Sequence, residues 1–214
     1  LGNFNSDLKA EEELGKYLDK YFYTRYKQLK NVVRINDGNE QYSGIDVKAR
    51  LKEENIFIDE KGYLSINMVG STFALELSYL KEKKRKNGWL FDKSKITTHY
   101  LFCWNKRNDN IKHQDVKEKD FHYIIAMLVD REKLLRYLQD TYQINKITAA
   151  SKVEEILEND KSGSLDTLNE ETKSKYFFST HLSEEPINIV MNKKELESIC
   201  ESYFLVKRTE LKAL

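Results

Sequence analysis

Between Gln41 and Leu77, three short β-type runs carry carboxylates where a strand gains nothing from them. They are GIDV with Asp46, FIDEKG with Asp59 and Glu60, and TFALEL with Glu76. Acidic side chains are poor strand formers. Set among Ile, Val, Phe and Leu, several of them near one another call for a counter-charge, and a metal ion is one that carboxylates can share.

The surrounding pattern fixes where these runs sit. Residues 6–26 read as one helix, capped by Ser6, with Leu14, Leu18, Tyr21 and Arg25 at helical spacing. Strands follow at 31–35, 42–50 and 55–61, with Asp37-Gly38 as a turn and Lys52, Glu53 and Glu54 as a charged turn. The last two form an antiparallel hairpin. Further strands are expected at 72–78, 100–104, 121–129, 187–191 and 203–207, and helices at 131–142, 145–158 (continuous or broken) and 193–201, the last capped by Asn192. Residues 159–175 are polar and centred on Gly163, the composition of an exposed loop. The whole reads as a mixed α/β (α+β) chain: one domain over 1–214, built on a central mixed β-sheet flanked by helices.

Composition limits the function classes. Hydrophobic residues make up 40% and charged residues 33%, and aromatic side chains are abundant, so the chain has material for a core and is not disordered. A net charge of +1 carries no global attraction to nucleic acid, so any such binding must come from a local patch. Cys103 and Cys200 form neither a ligand motif nor a disulfide framework, and both read as core residues in a reducing, cytoplasmic setting. No apolar run reaches transmembrane length and no signal-peptide pattern opens the chain, so a membrane partner is not expected. The four histidines are scattered without a second ligand at metal spacing, and no phosphate-binding glycine loop or nucleophile motif is present.

Strand alternation gives the acids a geometry. Asp59 and Lys61 share one face of their strand, and Glu60 points to the other. If Asp46 lies on the hairpin partner, it meets Asp59 on that face. Two carboxylates and an ammonium at one point suit metal-assisted phosphodiester hydrolysis, in which Asp46 and Asp59 hold Mg²⁺ or Mn²⁺, the Glu60 backbone carbonyl completes the shell, and Lys61 holds or deprotonates the attacking water or stabilises charge at phosphorus. Glu11 and Glu76 are the candidates for a further catalytic carboxylate. Glu11 is equally a first-turn acid favoured by the helix dipole. Asp59 and Lys61 are equally an ion pair protecting a strand edge.

Asp46, a twelve-residue gap and then Asp59-Glu60-Lys61 resembles the PD-(D/E)XK nuclease superfamily, the restriction-endonuclease-like fold. In that superfamily an acid ends one core strand, the (D/E)XK acid and lysine sit on the next, and an acid of the preceding helix, here Glu11, often joins them. IDEKG, TFALEL, NGWLFD and TTHYLFCW in succession are similar to a subset of these proteins from bacteria and phages. The likeness spans about residues 6–105. Ile45 stands where the motif's Pro would be, and Glu60 where an apolar residue is more usual.

The resemblance implies a Mg²⁺-dependent endodeoxyribonuclease with DNA as partner; a homodimer is compatible with it. The cluster Lys83, Lys84, Arg85 and Lys86 would neutralise DNA phosphates, with Trp89 stacking on a base; such a run is also an ordinary solvated loop. The rival reading is a non-catalytic module on the same fold that binds nucleic acid or protein.

Overall fold

The computed structural model describes residues 4–35, 44–159 and 161–214. The Asp37-Gly38 turn lies outside them. The described chain gathers into two compact units: one takes in the described residues of 3–70, 95–131 and 200–214, the other residues of 71–94 and 132–199. Each unit has its own sheet, where the sequence pattern suggests a single central one.

The first unit holds helix α1 (Phe4–Leu18) and strands β1 (Leu29–Arg34), β2 (Val47–Leu51), β3 (Glu54–Tyr63), β6 (His99–Arg107), β7 (Phe121–Asp130), β11 (Ser202–Lys207) and β12 (Leu211–Ala213). Their order in the sheet is β1-β2-β3-β6-β7-β11-β12. Among the described residues of this sheet, only the β3–β6 pair is parallel. Parallel neighbours need a long crossover, and residues 71–94 of that crossover belong to the other unit. α1 covers one face: Ala10, Leu14, Tyr17 and Leu18 recur at helical spacing and pack with Val47, Ile56, Ile58, Leu101 and Ala126. Tyr17 Oη donates to the Val206 carbonyl at 3.1 Å, tying α1 to β11. The helix already runs through Ser6, and after Leu18 it widens into a π-helical turn, Asp19–Tyr23. This departs from the single helix expected over 6–26.

The second unit holds β4 (Thr72–Lys81), β5 (Lys84–Asn87), β8 (Gly163–Thr167), β9 (Lys175–Phe178) and β10 (Ile187–Asn192) in the antiparallel order β5-β4-β10-β9-β8. Its helices are α2 (Arg131–Tyr142, of which Arg131 falls in the first unit), α3 (Lys146–Glu158) and α4 (Lys193–Ile199). α3 is unbroken because Asn145 caps it, accepting from the N–H groups of Ile147 and Thr148 at 2.8 and 3.1 Å. Asn192 caps α4 by accepting from Lys194 N–H at 2.9 Å. Glu195 on α4 is buried, yet its carboxylate accepts from Tyr137, Tyr142, Thr172 and Ser174. Burial opposes its charge, but the four hydroxyls win and hold its pKa below the usual range. The stretch 159–175 is not wholly loop, since β8 lies within it as an exposed edge strand.

Candidate active site

β2 and β3 are joined through Lys52 and Glu53 in a register that pairs Leu51 with Glu54 and Val47 with Ile58. The next residue back, Asp46, lies just beyond the last regular pair, close enough to Asp59 for the two charges to repel. Its backbone is held from both sides: Asp46 N–H donates to the Ile58 carbonyl at 2.9 Å, and Ile35 N–H donates to the Asp46 carbonyl at 2.8 Å. Asp46 Oδ2 accepts from Glu60 N–H at 2.7 Å. Lys61 Nζ lies 2.8 Å from Asp59 Oδ1. Asp46, Asp59 and Lys61 thus converge on one face of β3, and Asp59 is only 6% exposed.

Glu60 points the other way, with Ile56 and Ile58, toward the face covered by α1. There its carboxylate accepts from Tyr23 Oη at 2.7 Å and from Arg34 Nη2 and Nη1 at 2.8 and 3.0 Å. Its backbone does something different. The Phe57 carbonyl accepts from Thr98 N–H on the β6 side, and the Ile58 carbonyl accepts from Asp46 on the β2 side. Alternation then turns both the N–H and the C=O of Glu60 to the β2 side, where its N–H meets Asp46. Glu60 can offer the acid pair a carbonyl oxygen and not a carboxylate.

Glu11 is exposed on α1, and its charge reaches Lys61, adding to the field that stabilises the ammonium. Gly62 leaves room for α1 against β3: a Cβ there would lie 2.8 Å from Leu14 Cδ2 and 3.0 Å from Leu64 Cγ.

The charges in this cluster are strongly coupled. Burial, then the neighbouring Asp59 charge, push the Asp46 carboxyl up to about 6, against the pull of the Glu60 N–H, Lys61 and Arg34. Burial alone would make Lys61 easier to deprotonate, but Asp59, Asp46 and Glu11 raise its pKa above the ordinary lysine value. Burial raises Glu60, and Arg34 opposes that.

Three neighbours escape the sequence reading. Tyr100 lies inside an aromatic run that reads as plain core, but β6 pairs it with Asp59. Burial, opposed by Arg131 and reinforced by Asp59, pushes its hydroxyl up to about 12. Arg131 reads as a helix start, yet its Nη1 donates to the Lys95 carbonyl at 3.1 Å and its charge reaches Tyr100. Arg34 reads as a strand residue, yet it joins β1 to Glu60 and, through Nε, to Asp19 at 2.7 Å. Parity along β6 was the one available signal, for Tyr100.

The remaining candidates lie in the second unit. Glu76 is on β4, in register with Asn188 of β10. Lys83, Lys84 and Lys86 are exposed on the β4–β5 hairpin. Arg85 is engaged: its Nη1 donates to the Glu185 carbonyl at 2.6 Å and its guanidinium lies over the Phe178 ring. Trp89 begins a short 3₁₀ turn and is half-buried.

Among the described residues, no three His, Cys, Asp or Glu side chains form a ready-made metal cage. Mg²⁺ does not require one, since it is commonly held by one or two carboxylates and keeps several waters. Asp46, Asp59 and the Glu60 carbonyl form a hard oxygen set of that kind. No helix among the described residues is long and apolar enough to cross a membrane. No family model matches the chain, and neither a curated protein nor a solved structure matches it.

Proposed function

We propose that the first unit is a divalent-metal-dependent deoxyribonuclease of the PD-(D/E)XK type. The observation that carries this reading is the meeting of Asp46 and Asp59 with Lys61 at the start of β2. The chain order also supports it: a helix bearing Glu11, a strand, the Asp46 strand and then the Asp-Glu-Lys strand.

Asp46 and Asp59, with the Glu60 carbonyl, would hold Mg²⁺ or Mn²⁺. When bound, such an ion acidifies water and offsets charge on a phosphoryl oxygen. Lys61, with its raised pKa, is a fixed cation at neutral pH. It can orient water and steady negative charge at phosphorus. Glu11 sits where it can accept a proton or position Lys61. The Glu60 carboxylate, with Arg34 and Tyr23, holds the strand that presents Asp59, the Glu60 carbonyl and Lys61. The second unit by itself carries exposed Lys83 and Lys84, a local positive charge of the kind that DNA phosphates attract.

Metal binding separates this reading from a non-catalytic module. Mn²⁺ at about 100 times its Kd should raise the melting temperature by roughly 5–10 °C. Asp59→Ala should remove that rise. Unchanged melting at millimolar Mn²⁺ in the wild-type protein excludes a metal site and favours the binding module.

A further inference from the structure

The second unit contains a cavity of about 330 Å³ between the β4–β5 hairpin and α3. Its walls are apolar: Leu77, Phe91, Ala149 and Val153 line it. Its rim is cationic, with Lys86 from β5 and Lys146 from the first turn of α3, against one acid, Glu154. Arg85 also lines it, its charge shared with Glu185. Ser78, 4% exposed, lines the same cavity, and its buried Oγ has no hydrogen-bond partner.

These features describe a ligand. A buried hydroxyl without a partner is unfavourable, and a rotation about χ1 can offer it to a polar edge in the cavity. Apolar walls favour a flat, weakly polar body. Two lysines at the mouth favour a single anionic group. The volume is at the low end for a small-molecule site, about 300–1,000 Å³, so it takes one ligand and not a helical strand. We propose that this cavity binds a single nucleotide, its base against Leu77, Phe91 and Val153 with an edge toward Ser78, and its phosphate at Lys86 and Lys146. The site is separate from the acid cluster and does not depend on hydrolysis.

The test is a calorimetric titration of the full chain with deoxyadenosine monophosphate in EDTA, where metal-dependent cleavage cannot contribute. Saturable binding is expected. Deoxyadenosine and inorganic phosphate should each bind at least about tenfold more weakly, because each lacks half of the complement. The exposed pair Lys86→Glu and Lys146→Glu, which leaves the fold intact by circular dichroism, should lose about tenfold in affinity. Ser78→Ala should lose several-fold without a lower melting temperature. Absence of saturable binding overturns the proposal. So does equal affinity in the double variant, and so does an aliphatic carboxylate such as hexanoate binding as tightly as the nucleotide.

Discussion

At the scale of single residues, Asp46 and Glu60 are one strand apart but have opposite roles. Asp46 is held as an anion in a place that disfavours the charge. Its native pKa, about 6, lies above the unfolded value. The folded state therefore binds the proton more tightly, and this residue's contribution to stability rises as pH falls from about 6 toward 4. Asp46→Asn keeps an oxygen for the Glu60 N–H and removes the repulsion from Asp59. It should stabilise the metal-free protein at pH 7 by about 1 kcal/mol, flatten that pH dependence in urea melts, and weaken Mn²⁺ binding at least tenfold. In the wild type, metal affinity should fall as pH drops below about 6, since protons compete for the ligand. Glu60→Ala should behave in the opposite sense. It leaves Arg34 without its main carboxylate, so it should destabilise the fold by about 2–4 kcal/mol as measured by denaturant midpoint. The nearness of Asp46 to Asp59 was legible in the sequence because a short turn joins their strands. The ties from Glu60 to Arg34 and Tyr23 were not, since they join positions 26 and 37 residues away.

At the scale of elements, the long apolar runs announced themselves. α2 spans the expected 131–142, and β7 covers the expected strand with one residue more. The strands that escaped notice are β5, β8, β9 and β12, each five residues or shorter; β5, β8 and β12 form sheet edges. The polar composition of β5 and β8 follows from that position, and it is what makes them read as loop. Turn chemistry is also unusual. Lys52 and Glu53 join β2 to β3 with φ of 49° and 69°, and Glu82 and Lys83 join β4 to β5 with φ of 51° and 62°. Two-residue hairpin turns with both φ positive normally carry Asn-Gly or Asp-Gly. A side chain in that region costs about 1–2 kcal/mol. Glu53→Gly should therefore gain roughly 0.5–1 kcal/mol, after the greater chain entropy of glycine is subtracted. A higher urea midpoint at unchanged slope would show it. Gain there leaves the acid cluster untouched, as the turn lies at the far end of the hairpin from Asp46.

At the scale of the whole molecule, the division into two sheets was hidden by sequence distance. β4 pairs with β10 more than a hundred residues later, and no local pattern specifies such a partner. The chain enters the second unit after β3 and again after β7, so the segment TFALEL, adjacent to the Asp-Glu-Lys strand in sequence, is assigned to a different compact unit. What the sequence order does specify is the first unit's core of helix, hairpin and acids, and the functional reading rests on that part. Its most direct test is cleavage. Purified protein is incubated with supercoiled plasmid and with single-stranded DNA, in Mg²⁺ or Mn²⁺, beside Lys61→Ala shown by circular dichroism to be folded. The account predicts metal-dependent strand scission by the wild type, abolished by EDTA and reduced at least about a hundredfold in the variant. Intact DNA with the wild type in both metals, or equal cleavage by Lys61→Ala, would contradict it.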